Sequence, residues 1–217
     1  MFRYVSTIIF LLTVASYPIY AKAVETQQFL DETLSIPVSS AYNIVTIDQI
    51  GVQNNATVTS MGAASQLSVS QQGNEQVAVI KFVGSENSGS LRQKGGELSE
   101  VTINVDGGTN SFKIVQKNAV QGQVFLTQLG ERNTAVQKQR GKRNQIGLFQ
   151  DGNDNVAHMD QRGRGKTMEL EQLGDGNIMY LKQTNASDRV MRVTQIGGAK
   201  GSIYQNRIVQ RLHSWLL

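Results

Sequence analysis

Glutamine recurs at Gln128, Gln139, Gln150, Gln161, Gln172 and Gln183, a spacing of 11 residues that never slips. Five residues after most of these stands asparagine (Asn133, Asn144, Asn155, Asn177), and two residues after stands glycine (Gly130, Gly141, Gly152, Gly163, Gly174). A unit this short cannot enclose a core of its own. Chains built on a fixed short period bury their apolar face only by stacking one copy on the next.

Within each unit apolar residues alternate with polar ones, the period of a strand with one face inward. The first copy is Asn43-x-Val45-x-Ile47-x-Gln49, and the last inward pair is Met191 and Val193. Of the 28 inward positions so defined, only Gly89 and Gln137 are not apolar. One extra residue enters between Gln93 and Ser99, between Gln116 and Gly122, and between Gln183 and Arg189. Each extension is expected in a turn, because one added residue within a strand would send every later side chain to the opposite face.

A unit of 11 residues supplies one strand of about seven residues and a turn of about four. Two such strands facing each other close a core, so the sequence predicts an all-β, parallel β-solenoid with two strands per rung. Seven 22-residue rungs run from Asn43 to Gln195, a stack roughly 34 Å long at ~4.8 Å per rung. The glycines are expected to supply positive φ in the reversals.

Sorting strands by column predicts where the amides lie. The first column opens with Asn43, Ser65, Asn87, Asn110, Asn133, Asn155 and Asn177 and closes with Gln49, Gln71, Gln93, Gln116, Gln139, Gln161 and Gln183. The second is looser: Asn54 and Asn144 open two of its strands, and Gln128, Gln150, Gln172 and Gln195 close only its later ones. Inward amides at a fixed period are expected to hydrogen-bond along the stack as a ladder. Such an array has the character of an amyloid.

The ends read differently. Arg3, then Ile8 to Ala15, then Ala21-Lys22-Ala23 follow the charged, apolar, small-residue order of a secretory signal peptide. The chain then divides into a signal peptide (1–23), a flexible exported leader (24–42), the repeats (43–206) and a basic, apolar tail (207–217). Losing Arg3 and Lys22 lowers the formal net charge from +4 to +2. What remains is uneven: residues 24–100 hold eight acidic and three basic side chains, residues 162–217 four and nine. With no cysteine, the exported chain has no disulfides, and its stability must come from repetition or association.

The stretches Gln128-x-Gly130-x2-Asn133-x-Ala135-x3-Gln139 and Gln150-x-Gly152-x2-Asn155-x-Ala157-x3-Gln161 resemble the repeat of the curlin family, and Gln49-x-Gly51-x2-Asn54-x-Ala56 matches it in part. The resemblance spans about residues 43–206. It implies export through the outer-membrane curli secretion channel with its accessory factors, and assembly into extracellular amyloid fibres for adhesion and biofilm. It implies partners of the chain's own kind and a major curlin subunit. Curlins include a major and a minor, nucleating subunit. This chain is more similar to the minor one, in which basic residues accumulate where the amide pattern fails. Here they are Arg189, Arg192, Lys200, Arg207 and Arg211, a basic docking surface on that reading.

Other signals have plainer readings. The basic loops Lys138–Arg143 and Arg162–Lys166 read as solvated turns rather than a nucleic-acid site, because no aromatic residues interleave with the charges. Asp151-x-Asn153-x-Asn155 lacks the glycine and distant glutamate of a calcium loop. Only His158 and His213 are available as bases near neutral pH, and neither stands in a catalytic constellation. The expectation is therefore a structural protein, with no enzyme activity, cofactor, metal or small-molecule substrate. A monomeric ligand-binding solenoid, for ice or polysaccharide, is the alternative of a different class, although outward threonine arrays and aromatic residues are sparse.

Overall fold

The computed structural model describes residues 21–25, 33–35, 38–39, 43–184, 189–206 and 210–214, and of 21–25, 33–35, 38–39, 189 and 210–214 the backbone alone. Three short strands come first: β1 (Ala21–Glu25), β2 (Thr33–Ser35) and β3 (Val38–Ser39). The repeats form β4 (Ile44–Val52), β5 (Asn55–Met61), β6 (Gln66–Asn74), β7 (Val77–Val83), β8 (Ser88–Glu97), β9 (Glu100–Asp106), β10 (Ser111–Val120) and β11 (Gln123–Leu129). They continue with β12 (Thr134–Lys142), β13 (Gln145–Asp151), β14 (Val156–Arg164), β15 (Lys166–Leu173), β16 (Ile178–Gln183), β17 (Arg189–Ile196), β18 (Lys200–Gln205) and β19 (Gln210–Ser214).

The chain winds as a parallel β-solenoid of two facing sheets. The even-numbered strands β4 to β18, with β1 before them and β19 after, form sheet A. The odd-numbered strands β5 to β17 form sheet B, where β2 and β3 pair with β5. Each rung is one strand of A and the next of B, giving seven rungs, with β18 opening an eighth. Pairing is parallel throughout except that β19 returns antiparallel to β18, with Gln205 opposite Gln210 and Gly201 opposite Ser214. β1 straddles the position after Ala23, where cleavage is expected. The other residues of the expected signal peptide, most of the leader and most of the tail lie outside the described residues.

The period-2 phase holds along the whole stack. Every inward position is buried except Val193 in β17, which is half-buried against the core. Size is balanced between rungs. Gly89 leaves room for Phe112 of the next rung: a Cβ on Gly89 would sit 2.3 Å from the Phe112 ring. Phe112 in turn meets Phe82 edge-on, centroids 5.6 Å apart, a favoured aromatic geometry.

Strand lengths differ from the sequence expectation. Sheet-B strands such as β5 have 7 residues, but β4 in sheet A has 9 and β8 has 10. The excess lies in the expected turns, which also stack in parallel and hydrogen-bond along the axis, as Glu75 N–H does to the Val52 carbonyl (2.9 Å). The first two extra residues lie at the same height in neighbouring rungs. Lys94 pairs with Lys117 and Gly96 with Ala119, and the register shifts fall outside this pair, against β6 and β12. The third extension lies in 185–188, outside the described residues.

Glycine does more in these turns than supply positive φ. At Gly107 (φ +124°) a Cβ would fall 2.0 Å from the Gly130 carbonyl oxygen of the next rung, so only a hydrogen fits between stacked turns. Positive φ is also taken by side-chain-bearing residues just before an inward asparagine, as at Arg132 (56°) and Asp154 (59°).

Candidate functional site

The first-column glutamines align on successive strands: Gln49 opposite Gln71, then Gln93, Gln116, Gln139, Gln161, Gln183 and Gln205. Each side-chain Nε2 donates to the Oε1 of the next. The distances from Gln49 onward are 2.6, 2.9, 2.8, 3.0, 3.4, 3.0 and 2.8 Å. In every pair the lower-numbered residue is the donor. The second amide hydrogen of Gln71, Gln93, Gln139 and Gln161 reaches a main-chain carbonyl, as from Gln161 to Gln145 (3.1 Å). Gln49 to Gln183 are buried, so these bonds form away from water. Gln205, 22 residues after Gln183, extends the column by a rung that the sequence reading stopped short of.

The asparagines use a different geometry. Asn110 Oδ1 accepts the backbone N–H of Asn133 (2.9 Å), and Asn110 Nδ2 donates to the Gly130 carbonyl (2.7 Å). Asn87 treats Asn110 and Gly107 in the same way, at 3.0 and 2.8 Å. Asn43, Asn133 and Asn155 accept the N–H of Ser65, Asn155 and Asn177 at 2.9–3.0 Å. Each shorter side chain thus clamps its own strand start to the backbone of the next rung. Asn177 donates to an amide as well, to Asn155 Oδ1 (2.9 Å), and accepts the N–H of Ala199 (3.0 Å). Ser65 holds the same place with its hydroxyl, which accepts the N–H of Asn87 (3.3 Å).

The second column is composite. Gln128, Gln150, Gln172 and Gln195 donate in sequence at 2.9, 2.8 and 2.8 Å. On the other side of Gln128 the column is Val105, Phe82 and Ser60, and Gln128 Oε1 is buried without a hydrogen-bond partner. Asn54 and Asn144 clamp Gly73 and Gly163, both at 2.9 Å, and accept the N–H of Gln76 and Lys166, both at 3.1 Å. Gln76 and Lys166 therefore stand inward where an asparagine would repeat. Lys166 is buried at 1% exposure, with its stem against Gly163, where a Cβ would meet its Cε at 2.6 Å. Gln137, the polar exception among the core positions, donates to the Phe125 carbonyl (3.2 Å).

Of the basic residues near the end of the repeats, the two with described side chains lie on different sheets. Arg192 is exposed on sheet B and paired with Glu169 (2.5 Å), whereas Lys200 opens β18 in sheet A and is exposed. The backbone of Arg189 lies opposite Lys166, that of Arg211 opposite Tyr204, and Arg207 lies outside the described residues. In the turn over residues 151–155, Asn155 faces the core, while Asp154 is bound by Arg132 at 2.8 Å. That guanidinium holds the Asp154 carboxyl below its ordinary value, hydrogen bonding being the larger cause. His158 is outward and half-buried beside Tyr180, ring centroids 6.0 Å apart. Its pKa is lowered, first by burial and then by the charge of Lys138.

The arrangement fits one chemistry, the pairing of like with like along an axis. Gln and Asn bonds supplement the backbone ladder at each rung, and the amide interactions repeat from one rung to the next. Comparison with known families gives one finding: the model described as Curlin associated repeat matches residues 141–174. That segment runs from one turn glycine to another and holds β13, β14 and β15 with Gln150, Gln161 and Gln172. Neither a curated protein nor a solved structure matches the chain.

Proposed function

We propose that this chain is a structural subunit of an extracellular curli-type amyloid fibre, closer to the minor subunit that nucleates polymerisation than to the major one. The observation that carries the reading is the unbroken line of eight glutamines, each hydrogen-bonded to the next at the rung spacing. A buried amide at an unmatched end costs ~1–3 kcal/mol, so another copy supplying the next amide is favoured. Among the described residues the outer edge of β17 is unpaired and offers its N–H and C=O groups to the same partner, whereas β1 and β19 lie against the two ends of the sheet-A repeats. The curlin-repeat match over residues 141–174 points the same way, and on this reading the glutamines and asparagines of both columns are the polymerisation site. The partners are copies of itself and a major curlin, reached by export through the curli channel.

One observation favours the different-class reading of a monomeric, ligand-binding solenoid. β19 lies antiparallel on β18, a pairing that cannot continue the parallel stack and acts as a cap on sheet A. The test follows thioflavin T fluorescence of freshly desalted residues 24–217 without seeds. A rise yielding fibres that seed fresh protein supports the fibre subunit, and a very short lag supports the nucleator. A flat trace from a stably folded monomer would overturn the proposal in favour of the capped solenoid.

A further inference from the structure

The two outward faces carry opposite charge. The outward face of sheet B bears Glu100, Asp106, Asp151, Glu169 and Glu171 against Lys81 and Arg192. Sheet A is strongly basic, and its cations stand in file. Lys94 lies opposite Lys117, Lys117 opposite Arg140, and Arg140 opposite Arg162, on four successive rungs. All four are exposed. At ~4.8 Å per rung they form a straight line about 14 Å long. Arg92 and Lys138 flank it on their own strands, and Lys142 faces Arg164 beyond it. The acids on these strands are Asp160, which Arg162 holds at 2.8 Å, and the exposed Glu97 at the end of β8. Among the described residues Lys94, Lys117 and Arg140 make no ion pair.

Like charges at this spacing repel, and nothing in the core requires them, since the side chains point away from it. We infer that this file of cations on sheet A binds a linear anionic polysaccharide lying parallel to the solenoid axis, one carboxylate per sugar unit meeting successive rungs. The geometry favours that occupant over others. A DNA duplex winds its phosphates away from a flat face. Single-stranded nucleic acid needs aromatic platforms between the cations, whereas Tyr180 and Tyr204 stand on later rungs and Tyr204 is already covered by Lys182, whose Nζ is 5.2 Å from the ring centroid. A second copy would have to present sheet B, whose acids form no matching file and include Glu169, already paired with Arg192. The inference is independent of the fibre reading.

Biolayer interferometry of the full chain on immobilised polygalacturonate tests it, with neutral dextran and a 20-base-pair DNA duplex as comparison surfaces. The expected result is binding to polygalacturonate that weakens with added NaCl and is absent on dextran. The K117E/R140E variant should lose about tenfold or more in affinity, because two weak surface attractions become repulsions. The neutral K117Q/R140Q variant should fall between. K81E/R192E makes the same change in net charge on the other face and should bind within about twofold of the parent. Circular dichroism and thermal midpoints establish that each variant is folded. An equal loss in K81E/R192E would reduce the effect to net charge and overturn the site. Tighter binding to DNA than to polygalacturonate would also overturn it. So would failure to bind polygalacturonate combined with light scattering in which K117E/R140E abolishes lateral bundling, since the occupant would then be a second copy.

Discussion

A Gln161→Leu substitution keeps the volume of the side chain and removes its hydrogen bonds. It strips the partner from Gln183 Oε1 and from the Gln145 carbonyl, both bonded to Gln161 Nε2. The expected loss is ~1–3 kcal/mol in chemical denaturation; a neutral result would mean that the ladder does not hold the fold. Glycines should separate into two classes. Gly107→Ala drives a Cβ into the Gly130 carbonyl and must shift the stacked turns. Gly197 lies in the left-handed region that other residues visit (φ +63°), and a Cβ there meets nothing within 4 Å, so Gly197→Ala should cost only ~1–2 kcal/mol. Equal drops in thermal midpoint would mean that the close approach of stacked turns at Gly107 adds nothing. His158 gives a pH dependence whose sign is fixed. Its folded pKa lies below the ordinary 6.5, by burial first and Lys138 second. Its contribution is therefore fully present above the unfolded value and declines as pH falls below it. Denaturation midpoints should drop between pH 7 and 5, and His158→Asn should flatten that drop; an unchanged slope would clear His158.

Phase is the property of an element that matters most here. Inserting one glycine between Asn153 and Asp154 adds to a turn, whereas inserting it after Gly147 reverses Leu148 and the rest of β13. The first should retain the strand signature in circular dichroism with a modestly lower midpoint, and the second should lose cooperative melting. Equal behaviour would contradict the buried alternation. That alternation was plain in the sequence, because a period of 2 repeated at a period of 11 leaves no freedom in which face of β4 to β17 turns inward. Strand length was not legible. Whether a turn residue such as Gly73 joins the sheet depends on its pairing with Gly51 of the preceding rung, which no local pattern announces. The inward place of the amides could be read from their spacing. The preference of Asn110 for the Gly130 carbonyl over a neighbouring amide could not, because it follows from the shorter side chain and the turn geometry. The repeat puts Lys166 at a strand opening, but its burial was not legible: a long apolar stem beside Gly163 buries a residue whose charge suggests solvent. The return of β19 onto β18 lies outside the repeat and had no periodic signal.

At the scale of the molecule, the pairing of β18 with β19 separates a closed edge from open ones. Deleting residues 207–217 removes β19 and leaves the N–H and C=O groups of β18 without their antiparallel partner. In the thioflavin T assay the truncated chain should assemble with a shorter lag than the full one; an equal or longer lag would show that β19 is no obstacle to growth. The amide column has a further consequence, which lies in its direction. From Gln49 to Gln205 every bond of the column gives its hydrogen towards higher numbers. The stack is therefore an arrow: one tip offers oxygen and the other offers hydrogen. Two copies joined by like tips would bring oxygen against oxygen or hydrogen against hydrogen, so only head-to-tail contact continues the line. A filament made in this way has two chemically different ends, and subunits would join them at different rates.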